Sequence, residues 1–128
     1  MLAAALAEDL GDAGDITSLA TVPVDDECVA HIVARARGCI AGLGSALRVF
    51  TLTDNLVATG AIVTDGDLVS PDDQLAAITG PTRAILSGER VSLNLLGHLS
   101  GIATATRAFV DRIEGTGAAI VDTRKTTP

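Results

Sequence analysis

The residues best suited to chemistry lie at the end of the chain, in the stretch Val121–Pro128. This stretch contains the only lysine, Lys125, directly after Arg124, with Thr123 and two further threonines around the pair. Arginine offers a planar fork of donors and lysine a point charge, so together they can bind carboxylates or phosphates. The apolar run Ala118–Val121 predicts a buried strand that ends in this anion-binding edge. The alternative is a solvated basic tail.

A second cation, Arg90, stands out because its neighbours are rich in leucine. The apolar side chains from Ile85 to Leu99 predict a helix that is mostly buried. Since an unpaired buried guanidinium costs several kcal/mol, Arg90 requires an anionic partner. That partner is either a nearby acid, Glu89 or an aspartate, or an anion across an interface. His98 follows eight positions later, which is not the spacing of a His-Glu-x-x-His metal site.

The composition predicts one ordered, acidic domain. The 128 residues carry a formal net charge of -7, and 48% of them are hydrophobic. Without Trp or Tyr, the chain lacks the basic face and the stacking platforms of nucleic-acid binding proteins. It has no run of about 18 uncharged apolar residues, as a membrane span requires, and its start lacks a basic signal-peptide region. We expect a cytoplasmic protein that binds neither nucleic acid nor membranes.

The spacing of possible ligands predicts no metal site. Cys28 and Cys39 do not form a Cys-x-x-Cys pair and have no His at a zinc-like distance, which favours two reduced, buried thiols over a disulfide. The segment Gly11–Asp15 has the Asp/Gly content of a calcium loop but lacks the distal glutamate. We interpret it as a turn, with Asp15–Ser18 capping a second short turn before Pro23.

Periodicity and turn residues predict a mixed order of helices and strands. Glu27–Ala36 alternates as a half-buried strand, with Ile32 on one face and His31 on the other. Gly101 is expected to divide the long apolar helix from a second one. The remaining predictions are a helix at Leu2–Leu10, a short strand at Cys39–Ala41, a helix at Ser45–Leu52, a β region at Leu56–Ile78 and the second helix at Ile102–Ile113.

The β region contains a pattern that resembles the hairpin of biotinyl and lipoyl carrier domains. The pattern Gly-Asp-x-Val-x-Pro-x-x-x-Leu runs from Gly66 to Leu75. Carrier domains modify a lysine at the hairpin tip, and this region has none. A carrier function is therefore not expected.

The chain as a whole resembles quinolinate phosphoribosyltransferase, the decarboxylating nicotinate-nucleotide pyrophosphorylase of NAD biosynthesis. The resemblance rests on GERVSLNLLGHLSGIATAT at Gly88–Thr106 and on DTRKT at Asp122–Thr126. EDLG at Glu8–Gly11 and GDIT at Gly14–Thr17 fit the start of the same family.

This resemblance implies an α+β N-terminal domain with long helices and a small, barrel-sandwich-like β-sandwich. It places that domain at residues 1–117, and the first strand of an otherwise missing α/β barrel at residues 118–128. Barrel enzymes carry their chemistry at the C-terminal ends of the strands. It also implies a head-to-tail homodimer, in which the N-terminal domain of one subunit closes the barrel of the other.

The implied reaction joins quinolinate to phosphoribosyl pyrophosphate (PRPP), releases Mg²⁺-bound pyrophosphate and carbon dioxide, and gives nicotinate mononucleotide. By the resemblance, Arg124 and Lys125 bind the quinolinate carboxylates, Thr123 shapes that site, and Arg90 reaches it from the neighbouring subunit. No catalytic residue and no Mg²⁺ ligand is assigned within the 128 residues. Activity is expected only with the missing barrel; the alternative is a non-catalytic dimerisation or interaction module derived from this domain.

Overall fold

The computed structural model describes residues 1–123, which form a mixed α+β arrangement of two small sheets and one long helix. Segments with period-two alternation become strands, and the longer apolar stretches become helices. The helices are α1 (Leu2–Leu10), α2 (Ile16–Thr21), α3 (Leu43–Thr53) and α4 (Thr82–Ile113), and the strands are β1 (Glu27–Val33), β2 (Gly38–Cys39), β3 (Ala58–Ala61), β4 (Leu68–Val69) and β5 (Gln74–Pro81).

Strand β5 is the centre of the larger sheet, which has the order β1-β5-β3 and antiparallel pairing. Strands β2 and β4 form a separate antiparallel pair. The alternation predicted for β1 is confirmed, since Ile32 is buried while Val29 and His31 are exposed. Ile32 lies opposite Ala76 of β5, and both side chains belong to the main hydrophobic core.

Helix α3 covers this core and packs against α4. Ala46 and Phe50 of α3 share the core with Ile78 of β5 and Ile85 of α4. Phe50 and Ile78 are almost completely buried. Close packing of this kind makes each side chain sensitive to a change of even one methylene.

A long-range contact sets the start of α3. The two carboxylate oxygens of Asp65 accept hydrogen bonds from the backbone N–H groups of Gly42 and Leu43, at 2.8 and 3.0 Å. The helix therefore begins before the predicted Ser45, because a turn more than twenty residues later caps it. Gly42 has a φ of 81°, and a Cβ there would collide with the side chain of Leu99, so this position requires glycine.

Helix α4 is continuous over 32 residues, so the predicted division at Gly101 is wrong. A glycine costs a helix only about 1 kcal/mol relative to alanine. Side chains on both sides of Gly101 offset that cost. The hydroxyl of Ser100 accepts a hydrogen bond from Ala41 N at 3.1 Å, and that of Thr104 accepts one from Cys39 N at 2.9 Å.

The expectation that the long apolar helix is mostly buried is also wrong. Only one face of α4 is buried, and its last buried residue is Leu96. Thirty-two residues make a helix about 48 Å long, and this helix extends beyond the small sheets that it packs against. Five large apolar side chains of α4 are exposed: Leu86, Leu93, Ile102, Phe109 and Val110.

The predicted buried strand at residues 118–121 does not form within the described part of the chain. The segment pairs with no strand, and Ile120 and Val121 are 45% and 77% exposed. A β-strand needs a neighbouring strand for its backbone N–H and C=O groups. No strand of residues 1–123 pairs with residues 118–121.

Both cysteines are free thiols, with Cys39 buried and Cys28 half-buried. Among residues 1–123, no helix combines the length and the hydropathy that a membrane crossing needs. In the same range, no three His, Cys, Asp or Glu side chains lie close enough together to hold a metal ion.

Candidate functional site

Arg90 lies on the outer side of α4, so the prediction of a buried guanidinium is wrong. Its side chain is 69% exposed, and its Nε forms an ion pair with Oδ1 of Asp9 at 2.7 Å. The reason is geometric: α4 buries the face that carries Gly88 and Ser92, and each residue advances about 100° around the helix. Of the two alternatives for a partner, the structure shows an acid of the same chain, although not the adjacent Glu89.

The end of helix α1 holds Asp9 in place. Leu6 of this helix is buried, and the helix ends with the backbone N–H of Gly11 donating to the carbonyl of Ala7 at 3.0 Å. An acidic side chain in the last turn meets the negative end of the helix dipole, which costs about 0.3–1 kcal/mol. The cation of Arg90 offsets this repulsion.

Asp15 makes a second connection between the N-terminal region and α4. Its Oδ1 accepts a hydrogen bond from Ser18 N at 3.0 Å and its Oδ2 accepts from the Ser18 hydroxyl, which caps α2. The hydroxyl of Ser87, one turn before Arg90, donates to the carbonyl of Arg83 at 2.8 Å, and its oxygen lies 3.5 Å from Oδ2 of the same carboxylate. The hydrogen bonds from Ser18 hold the pKa of Asp15 below its ordinary value, because they stabilise the ionised form more than burial disfavours it.

The predicted capping role of Asp15 is therefore confirmed, but the segment that it caps is a six-residue helix rather than a turn. The helix was missed because it is short and because its stabilising contacts come from elsewhere in the chain. One such contact is the guanidinium of Arg83 on α4, which donates to the carbonyls of Leu19 and Val22 at the end of α2.

A cavity of about 330 Å³ opens between α1, α2 and α4. Its polar lining comes from Asp9, Asp15, Thr17, Ser87, Glu89 and Arg90. Within residues 1–123, Asp9 is the sole ion-pair partner of Arg90. The guanidinium thus has one nitrogen beside a carboxylate and its remaining donors available to an external anion, with which arginine forms strong paired hydrogen bonds.

Three hydroxyl groups of the Gly88–Thr106 motif face inward. Ser92 is fully buried and donates to the carbonyl of Ala46 at 2.9 Å. Ser100 and Thr104 hold the segment around β2, as described above. The spacing of 92, 100 and 104 places them on one face of a helix, which is the signal in the sequence that could have identified them. Much of this motif therefore fastens α4 to its own domain, whereas Arg90 faces outward.

Residues 118–120, which precede the predicted anion-binding edge, lie at the far end of α4 from Arg90. Ile120 and Arg107 line a common cavity of about 560 Å³ at the C-terminal end of α4. Seventeen residues separate Arg90 from Arg107, or about 25 Å of helix. Thr123 is exposed, and Arg124 and Lys125 lie outside the described residues. Up to Thr123, the structure does not bring the C-terminal edge and Arg90 together.

A model of the family "Quinolinate phosphoribosyl transferase, N-terminal domain" matches residues 15–100. The chain belongs to this family. A Nicotiana tabacum protein named quinolinate phosphoribosyltransferase (decarboxylating) 1b is 40% identical over 124 residues, which are 97% of this chain and 35% of the relative. A Bacillus subtilis protein named probable nicotinate-nucleotide pyrophosphorylase (carboxylating) is 43% identical over 121 residues, 94% of this chain and 41% of the relative.

Solved structures of the quinolinate phosphoribosyltransferase family share the fold. The crystal structure of NadC from Streptococcus pyogenes superposes with a TM-score of 0.93 at 39% identity, and covers 99% of this chain and 45% of that one. The chain thus spans less than half the length of these three relatives. The family match runs from the capping residue Asp15 to Ser100, so it contains Arg90 and stops before Thr123.

Proposed function

We propose that this chain supplies the N-terminal domain of a quinolinate phosphoribosyltransferase, a pentosyltransferase of de novo NAD biosynthesis. The pyridine nitrogen of quinolinate attacks the anomeric carbon of PRPP, and pyrophosphate leaves with the bonding electrons. The 2-carboxylate then departs as carbon dioxide, its electron pair remains on the ring and is protonated, and nicotinate mononucleotide results. The family match over residues 15–100 carries this proposal.

In this proposal, the cations of the chain bind the dianionic substrate. Arg124 and Lys125 contact the quinolinate carboxylates, Thr123 shapes the pocket, and Arg90 adds a further guanidinium. A hydrogen bond to a charged group contributes about 1.5–3 kcal/mol. Convergent cations of this kind matter in a chain whose net charge of -7 repels anions at long range.

We further propose that each site is shared between two copies of the chain in a homodimer. The helix separation of about 25 Å between Arg90 and the region of Arg107 supports this arrangement. Within one chain the two cationic regions lie apart, whereas a second copy in head-to-tail orientation can bring Arg90 to the other copy's edge. A two-fold dimer then contains two equivalent sites.

Exposed apolar side chains on α4 support such a dimer. Leu93 is open to solvent on one side of the helix, and Ile102 and Phe109 are open on nearly the opposite side, since nine residues advance about 900° around a helix. Gly97 and Gly101 are also exposed, and a Cβ at either position meets nothing within 4 Å. Nothing within residues 1–123 requires glycine at these two positions, although each costs helix stability. Close approach of another chain would account for a glycine at both positions.

The finer features of the family also remain proposals for this chain. We propose that the two sheets form a small sandwich, which is supported by Ile32 of β1 and Val69 of β4 sharing one hydrophobic core. Residues 1–117 then form the N-terminal domain, and residues 118–128 become the first barrel strand once further strands are present. The Mg²⁺ ligands lie outside this chain, and the protein works in the cytoplasm.

The test uses residues 1–128 joined to the part of the Bacillus subtilis relative that follows the matched region, here called the completed enzyme. We expect it to convert quinolinate and PRPP to nicotinate mononucleotide. Arg90→Ala or Lys125→Ala should lower kcat/KM for quinolinate tenfold or more, since each removes a charge-assisted contact. Absence of turnover, while the unaltered Bacillus subtilis enzyme is active, would contradict the proposed function. Unchanged kinetics in both variants would contradict the site.

A second candidate function is a non-catalytic dimerisation module, which the exposed apolar side chains of α4 favour. It predicts self-association of the 128-residue chain together with an inactive completed enzyme. Sedimentation analysis separates the cases, because purely monomeric behaviour at high micromolar concentration argues against a module of this kind.

A further inference from the structure

The two partners of the ion pair between Asp9 and Arg90 are unequally buried. The Asp9 side chain is 16% exposed and that of Arg90 is 69% exposed, with Nε and Oδ1 2.7 Å apart. The carboxylate is therefore the fixed partner, and the guanidinium is the group that reaches outward. An unrestrained arginine would lose much rotamer freedom on binding an anion, so a contact that fixes it beforehand favours binding.

We infer that Asp9 is a positioning residue for Arg90. It holds the Nε edge of the guanidinium, so that the terminal nitrogens are presented to a quinolinate carboxylate in the neighbouring subunit. This inference rests on the function proposed above and names a residue on which substrate binding depends without contact to the substrate.

The surroundings of Asp9 give it the rigidity that positioning requires. The backbone N–H groups of Gly11 and Gly14 donate to the carbonyls of Ala7 and Leu10, at 3.0 and 3.1 Å, and close the chain directly after the helix. The hydroxyl oxygen of Ser87 on α4 lies 3.5 Å from Oδ2 of Asp15, on the far side of the same loop. The loop thus contacts α4 near Arg90 at two points, one of which is Asp9 itself.

The direction in which quinolinate binding changes when Asp9 is removed distinguishes positioning of Arg90 from a simple effect of charge. The charge of Asp9 repels a dianionic substrate, and so do the nearby charges of Asp15 and Glu89, which line the same cavity. If Asp9 acted only through its charge, its removal would strengthen quinolinate binding. If it positions Arg90, removal weakens binding despite the lost repulsion.

The experiment measures kcat and KM for quinolinate in the completed enzyme with Asp9→Ala and Asp9→Asn. We expect Asp9→Ala to raise KM about tenfold with little change in kcat, because the loss falls on substrate binding. Asp9→Asn keeps the shape and one oxygen, so its KM should lie between wild type and Asp9→Ala. An unchanged or lowered KM in Asp9→Ala would overturn the inference.

Asp12 provides a control in the same loop. Its side chain is exposed, and among residues 1–123 the ion-pair partner of Arg90 is Asp9 rather than Asp12. Asp12→Ala removes the same charge without removing a contact to Arg90. It is expected to leave KM within twofold of wild type, and an increase equal to that of Asp9→Ala would overturn the inference.

A double variant decides whether Asp9 acts through Arg90. In an Arg90→Ala background, Asp9→Ala should raise KM no further, since the group that it positions is gone. Additive increases would contradict the inference even if each single variant binds poorly. If Arg90→Ala alone leaves KM unchanged, the proposed site fails as well; if only Asp9→Ala leaves it unchanged, the positioning role alone fails.

Urea unfolding of the same variants identifies a purely structural role for Asp9. Such a role lowers the free energy of unfolding and the fraction of active enzyme without raising KM for quinolinate. That outcome would overturn the positioning role.

Discussion

Arg90 and Ser92 are two positions apart on α4 and have opposite surroundings. Ser92 is fully buried and hydrogen-bonded to Ala46, whereas Arg90 faces solvent and pairs with Asp9. The sequence indicates that Arg90 needs an anionic partner, but not that the partner lies 81 positions earlier. The apolar residues of α4 spread around much of its circumference, so periodicity alone does not show which face is inward. Only packing against α3 decides it.

At the residue scale, Asp15 predicts a dependence of stability on pH. Its pKa is lowered in the folded protein, chiefly by Ser18. The stability that it contributes is therefore present above its unfolded pKa of 3.8 and is lost as pH falls through the lower folded value. At pH 7, Asp15→Ala should cost about 0.5–2 kcal/mol of unfolding free energy, as expected for loss of a helix cap.

Urea unfolding of wild type and Asp15→Ala at a series of pH values from 7 down to about 3 measures this effect. The gap between the two proteins should begin to narrow below the unfolded pKa. Asp12→Ala, in the same loop but at an exposed position, serves as the control and should change stability little. A gap for Asp15→Ala that stays constant with pH would show that the lowered pKa does not contribute to stability.

At the scale of elements, local rules predicted most helices and strands but not their limits. The strand at β1 and the helix at α1 follow from period and composition, and both are observed. The start of α3 depends on Asp65, and the continuity of α4 through Gly101 depends on contacts with residues about sixty positions earlier. Contacts over such distances leave no periodic signal in the sequence.

The glycines of α4 predict opposite effects of the same substitution. A Cβ at Gly101 meets nothing within 4 Å, whereas one at Gly88 would lie 3.0 Å from Cδ1 of Phe50. Gly101→Ala should stabilise the monomeric chain by up to about 1 kcal/mol through helix propensity. Gly88→Ala should be about 1–3 kcal/mol less stable than Gly101→Ala, because it adds an overpacked contact.

Thermal or urea unfolding at low protein concentration, where the chain is monomeric, measures both variants. If Gly101→Ala is the less stable of the two, the described surroundings of α4 are contradicted. At higher concentration, Gly101→Ala should also weaken self-association, provided that a second copy approaches this face closely.

At the scale of the whole molecule, the family was predictable from the sequence, and the homodimer stays a prediction. The helical motif and the C-terminal motif identify the family, because they preserve specific residue types at fixed spacing. The chain has a net charge of -7 and carries its cations in separate places. Residues 118–120 lie at the opposite end of α4 from Arg90, which supports the proposal that another copy completes the site.

Mixing two impaired variants of the completed enzyme tests this central claim most directly. Arg90→Ala and Lys125→Ala are each expected to retain a tenth or less of the wild-type kcat/KM for quinolinate, but a dimer with one subunit of each kind contains one intact site. With random pairing, half of the dimers are mixed, so activity should return to about a quarter of wild type after co-refolding. If the mixture is no more active than its separate components, Arg90 and Lys125 do not meet across a subunit interface, and the account is contradicted.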